Sequence, residues 1–138
     1  MTSRTFPAWT ESVPAARAFV ADTLSGLPEL CQTAALLISE LATNAIRHSG
    51  AREFTVRLEY DATAGRLWAG VSETGRGQPV LRDPGVTAEH GRGLRLVSLL
   101  SDRWGAQRRR ATNEKTIWFE LNGAPGTKAP DFRSAGID

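Results

Sequence analysis

Cysteine is nearly absent from this chain of 138 residues: Cys31 stands alone. No internal disulfide can form, and a reducing compartment is the expectation. Only two histidines accompany that thiol, too few for a zinc site of ordinary ligand spacing. No stretch approaches the ~20 apolar residues needed to span a bilayer. Arg4, Pro7, Glu11 and Pro14 interrupt the first segment, which therefore lacks the apolar centre of a secretory signal. A cytoplasmic protein with no membrane segment is expected. No helix-turn-helix, zinc-finger or aromatic RNA-binding pattern is present either. The formal charge of +2 is mildly basic, and much of the surplus lies in Arg108, Arg109 and Arg110. Such a run can touch nucleic acid, but at a strand end it reads as a solvated hairpin.

What is present suits one domain. The hydrophobic fraction of 41% is enough for a single core at this length. Residues 4–9 read as an edge strand, since Pro7 is tolerated only there. Ser12, Val13 and Pro14 read as a helix start, and Gly26 as its end near Leu24. Pro28 opens a second helix that stops near Ser49 and Gly50. Phe54, Val56, Leu58 and Tyr60 alternate with polar residues as a half-buried strand. A turn over 61–65 leads to a strand over 67–71. Residues 73–92 hold four glycines and two prolines with almost no apolar period; a loop of that length is commonly a lid over a site. A helix over 93–101 and strands over 102–109 and 115–121 complete the domain, 1–121. The segment 122–138 carries nothing periodic to bury and reads as a flexible tail. Helices beside antiparallel hairpins predict an α+β, two-layer α/β sandwich: a mixed, mostly antiparallel sheet with helices on one face.

The chemistry lies inside the second helix. Leu30, Ala34, Leu37, Ile38, Leu41 and Ala45 recur at steps of three and four, marking its core side. Glu40, Asn44 and His48 fall four apart and form one polar stripe. A carboxylate and a carboxamide one turn apart can hold a divalent cation and orient a water or hydroxyl. Downstream come Gly75 and Gly77, then Gly91, Arg92, Gly93 and Leu94. Glycines let backbone approach a ligand without a Cβ in the way, and helix N-termini attract phosphate. The combination points to an ATP site.

In order, Glu40-xxx-Asn44-Ala-xx-His48, an acidic strand end before Gly75-x-Gly77, Gly91-x-Gly93-Leu94 and Lys115-Thr116 resemble the Bergerat-fold, histidine-kinase-like ATPases. Small size, the wording Asn44-Ala-Ile-Arg-His48 and the ending Trp118-Phe119-x-Leu121 resemble most closely the anti-sigma-factor serine/threonine kinases. The resemblance runs from about Phe6 to Leu121. It implies ATP and Mg2+ as cofactors, Glu40 as general base and Asn44 as magnesium ligand. It implies that Glu73 and Thr116 meet the adenine, that Gly75 and Gly77 pass beside the base and sugar, and that Gly91, Arg92, Gly93 and Leu94 open a helix toward the phosphates. His48, close behind the asparagine, supports the site or the helix end. The implied partners are a sigma factor held inactive, an anti-anti-sigma (STAS-type) protein phosphorylated on serine or threonine, and a second copy of the chain. Neither nucleic acid nor a membrane is implied.

Two positions depart from the family pattern. Glu73 stands where aspartate is expected, and Lys115 where glycine is usual. The extra methylene shifts a carboxylate by ~1 Å, enough to matter for a positioned group. A regulatory binding module of the same fold, binding nucleotide weakly or not at all, is therefore the alternative to a kinase.

Overall fold

The computed structural model describes residues 1–75 and 88–123, with side chains from residue 94 in the second segment. Its elements run β1 (Thr2–Pro7), α1 (Ser12–Thr23), α2 (Pro28–His48), β2 (Glu53–Asp61), β3 (Arg66–Glu73), α3 (Ala88–Leu100), β4 (Arg103–Arg109) and β5 (Glu114–Asn122). The five strands form one sheet in the order β1-β2-β3-β5-β4. All four pairings are antiparallel.

Strand alternation sorts the side chains into two faces. One carries Phe54, Val56 and Leu58 from β2, Leu67, Ala69 and Val71 from β3, and Ile117, Phe119 and Leu121 from β5, all buried. Against it pack Ala16, Phe19 and Val20 of α1 and the buried stripe of α2, which contains every apolar position expected from its period. Phe6 stacks on Phe54 with ring centroids 5.5 Å apart and meets Phe19 edge-on at 6.2 Å. Val97 brings α3 into the same core.

The opposite face has its own order. Thr5 and Thr55 share a 2.7 Å hydrogen bond, and the Arg57 guanidinium donates to Ser72 Oγ at 2.8 Å. Trp68 stacks on Trp118 at 6.3 Å, with Arg103 over the Trp118 ring.

α1 opens at Ser12 as expected, and the Ser12 hydroxyl donates to the Pro7 carbonyl at 2.6 Å and ties helix to strand. Two local details differ from expectation. β3 runs two residues beyond the expected end, to Glu73. α3 begins at Ala88 rather than Gly93, because the packing of Leu94, Leu96 and Val97 outweighs the ~1 kcal/mol that each helical glycine costs. The lid expected over 73–92 falls largely on 76–87, and the tail on 124–138; both lie outside the described residues. Among the described residues no helix is long and apolar enough to cross a membrane.

Candidate functional site

The site is set by how α2 lies on the sheet. Leu41 and Ala45 are buried in the core, which leaves Asn44, on the flank between them, at the seam where the helix meets β3 and β5. There a narrow cleft of about 10 Å3, open to solvent, is lined by Leu41, Asn44, Ala45, Val71, Glu73, Lys115 and Ile117. Its walls are the four apolar side chains of Leu41, Ala45, Val71 and Ile117; its polar groups are one carboxamide, one carboxylate and one ammonium. Such a mix of apolar wall and few converging polar groups is the usual make-up of a small-ligand site.

Glu73 is held from two sides. Its Oε1 accepts the Gly75 N–H at 2.6 Å, and its Oε2 lies 3.5 Å from Lys115 Nζ. The two side chains are 6% and 12% exposed, so water screens this pair little. Register makes the pairing obligatory: Glu73 sits directly opposite Lys115 across β3 and β5.

The same register moves Thr116 out of the cleft. It pairs with Ser72, and the two hydroxyls share a 2.7 Å hydrogen bond on the face away from the helices. The adenine contact expected of Thr116 is thus not available from this position; Lys115 occupies the cleft instead. The signal was in the sequence. Ile117, Phe119 and Leu121 alternate as core residues, so Lys115 shares their face and Thr116 does not.

Glu40 lies one turn before Asn44 on α2, half-buried, outside the seven cleft residues. His48 is the last residue of α2, where with Arg47 it favours the negative end of the helix dipole. Behind it Ser49 closes the helix: its hydroxyl donates to the Ala45 carbonyl at 2.6 Å and accepts the Ala51 N–H at 2.9 Å. Gly50 then turns the chain with φ of 73°.

Gly75 is required, though for a nearer reason than a ligand. A Cβ there would collide with the Ser49 carbonyl oxygen and come within 2.8 Å of Ala51 N. The end of β3 is thereby pressed against the end of α2, and this contact carries Glu73 to Asn44's side of the fold. Gly77 lies outside the described residues. Gly91 and Gly93 lie within α3 rather than before it. The helix's free N–H groups belong to residues 88–91, a set that includes Gly91 and leaves Gly93 in the helix interior. Leu94 packs half-buried on the core, and Arg92 falls among the side chains that are not described.

Among the described residues no three His, Cys, Asp or Glu side chains converge as metal ligands. Asn44 is the neutral oxygen donor in the cleft, which suits a magnesium ion that keeps several waters and binds chiefly through phosphates.

Comparison with known proteins agrees with this architecture. A family model described as a histidine kinase-like ATPase domain matches residues 6–121. A solved histidine kinase domain of the Erythrobacter litoralis EL346 blue-light-activated histidine kinase is 19% identical, with a TM-score of 0.50 over 84% of this chain and 61% of that one. A longer structure of the same kinase is 26% identical, with a TM-score of 0.51 over 71% of this chain and 32% of that one. The chain thus spans about three-fifths and one-third of these relatives. No curated protein matches it. The family match supports ATP binding and ATP-dependent phosphotransfer in general.

Proposed function

Because the chain belongs to the family of histidine kinase-like ATPase domains, we propose that it is an ATP- and magnesium-dependent serine/threonine protein kinase of the anti-sigma type, working in the cytoplasm. Its partners on this reading are a sigma factor, which it sequesters, and a STAS-type anti-anti-sigma protein, which it phosphorylates. The reading extends to a homodimer, with α1 and the neighbouring sheet as contact surfaces. The observation that carries the proposal is the meeting of Asn44 and Glu73 in one cleft, with Glu40 a helical turn away.

Each residue has a distinct task. Glu40 accepts the proton of the partner's serine or threonine hydroxyl, directly or through one water. Asn44 would hold magnesium through Oδ1. Bound magnesium-ATP supplies the phosphoryl group and the charge that stabilises its transfer. Glu73 accepts from the base, and Leu41, Val71 and Ile117 exclude water around the ring.

Magnesium-ATP should therefore raise the melting temperature, since a ligand at a hundred times its Kd stabilises the folded state by about 2.7 kcal/mol. Glu40→Ala should keep that shift and lose phosphorylation of a STAS-type partner; Asn44→Ala should lose both. Full transfer by Glu40→Ala would remove it as the base. A regulatory module without catalysis has one observation in its favour, the engagement of Glu73 by Lys115 and Gly75. The absence of any shift at millimolar magnesium-ATP would select it.

A further inference from the structure

The sheet face turned away from the helices carries a recess of its own, and its chemistry does not depend on the nucleotide reading. It is a shallow basin of about 340 Å3, lined by Met1, Glu59, Asp61, Arg66, Trp68 and Glu120. Register puts its centre in one row. Glu59 stands directly opposite Trp68 across β2 and β3, and Trp68 directly opposite Glu120 across β3 and β5. Side chains so paired rise about 5 Å apart on one face, so an indole is flanked on both sides by a carboxylate. The ring lies along its strand, since a Cβ at Gly70, two residues on, would come within 2.9 Å of Trp68 Cη2. Its outer face therefore borders the basin.

The neighbouring tryptophan shows what such an arrangement holds. The Arg103 guanidinium lies over the Trp118 ring, 5.9 Å from its centroid, while Nη1 stands 3.4 Å from Glu120 Oε1. Trp68 stacks on Trp118, yet the cations placed over rings among the described residues sit on Phe19 and Trp118, not on Trp68. Arg66, two residues before Trp68 on the same face, is turned to Asn122, whose Oδ1 accepts from its Nε at 3.3 Å. Glu59 has neither hydrogen bond nor ion pair among the described residues. Glu120 Oε1 is buried and accepts no hydrogen bond. Three carboxylates against one guanidinium make the basin acidic in a chain whose formal charge is +2.

A flat cation with donors along its edge fits this seat. A guanidinium can stack on the indole face while its N–H groups reach the carboxylates on either side; an ammonium lacks both the plane and the fork. The basin is too open to bury most of a free small molecule, as ligand pockets do. A side chain delivered by a protein brings its own surroundings to cover the rim. We propose that Trp68, with Glu59 and Glu120, seats an arginine side chain of a partner protein docked on this face of the sheet.

The test follows the indole resonances and the backbone amides of Glu59 and Glu120 by NMR of the whole chain. N-acetyl-arginine amide should shift those amides and the Trp68 indole signal, identified by its loss in Trp68→Phe, saturating at about 1–50 mM, the weak range open to a single side chain. The citrulline analogue has the same shape without the charge and should bind at least about tenfold more weakly. Glu59→Gln should weaken arginine binding by about fivefold or more, the worth of one bond to a charged group. Glu53→Gln, the same change on the same face at the far end of β2, lies beyond the screening length and should leave it within about twofold. A five-residue alanine peptide with a central arginine should bind at least as tightly as the blocked amino acid. Peptide binding more than about tenfold weaker would assign the seat to a free guanidino compound and overturn the partner. No saturable shift by about 100 mM would overturn the seat itself, as would equal binding of citrulline or wild-type affinity in Glu59→Gln. Glu59 is exposed, so that variant should fold even where Trp68→Phe does not. The same shifts on concentrating the protein alone would overturn the assignment in favour of a second copy. Each of these outcomes leaves the nucleotide reading where it stands.

Discussion

Gly75→Ala isolates the contact that brings β3 to α2. At this position the difficulty is steric: Gly75 is not among the residues with positive φ. The added methyl would overlap the Ser49 carbonyl oxygen and sit 2.7 Å from the Ser49 carbonyl carbon and 2.8 Å from Ala51 N. All three are backbone atoms, so no side chain can rotate away. Ser49 is itself fixed, 4% exposed and bonded through its hydroxyl to Ala45 and Ala51. The end of β3 must instead retreat, which strains the Gly75 N–H to Glu73 bond of 2.6 Å. Overpacking of this kind costs about 1–3 kcal/mol, and a lost hydrogen bond to a carboxylate adds about 1.5–3 kcal/mol. A total loss of about 3 kcal/mol, near the sum of the lower bounds, is expected by urea denaturation with an unchanged m-value. Gly50→Ala is the control. It meets its cost through φ of 73°, about 1–2 kcal/mol, and should leave the cleft alone. Gly75→Ala within 0.5 kcal/mol of wild type, a margin of about one surface substitution, would refute the packing argument.

Other expectations follow from the same geometry. Lys115→Met strands a buried carboxylate and should destabilise by about 3 kcal/mol, the low end for a broken buried pair given the 3.5 Å separation. Glu73→Gln in that background should recover most of the loss, and additive losses in the double-mutant cycle would mean that the two groups do not interact. Phe119→Ala empties a fully buried position at the middle of the sheet and should cost about 3–5 kcal/mol in the same denaturation assay; under 1 kcal/mol, a value typical of an average site, would contradict its central place.

Much of the fold was legible because several elements announce themselves twice. α2 has both an apolar period and a proline at its first turn, and its buried stripe fell where the period put it. The β2–β3 hairpin has alternation on one side and a loop closed by Asp61, whose carbonyl accepts from Gly65 at 2.7 Å and whose carboxylate accepts from Ala64 at 3.1 Å. Elements whose local signal contradicts their packing were misplaced. Two glycines hide the first turn of α3, and the bond from Ser12 to Pro7 leaves no trace in sequence. Asn44 and Glu73 were legible as polar residues in apolar surroundings, although their proximity is a property of the tertiary fold alone.

Thr116 and Lys115 show where a motif misleads and elementary geometry does not. A threonine two residues ahead of Trp118 invites comparison by residue type, yet a strand has only two faces. With Ile117, Phe119 and Leu121 buried, position 115 must share their side and position 116 must leave it. The two departures at 73 and 115 then cease to be independent. A longer acid at Glu73 and a base at Lys115 are direct cross-strand neighbours, and opposite charges so placed favour each other. Either change alone would bury an unpaired charge at the mouth of an apolar cleft. Together they form a neutral pair. On this account a chain carrying aspartate at 73 should not tolerate lysine at 115 as well as this one does. Glu73→Asp draws the carboxylate back by ~1 Å, one methylene, lengthening the ion pair. It should therefore lower stability in urea denaturation, and tighter binding of magnesium-ATP with unchanged stability would show that glutamate is only a handicap here.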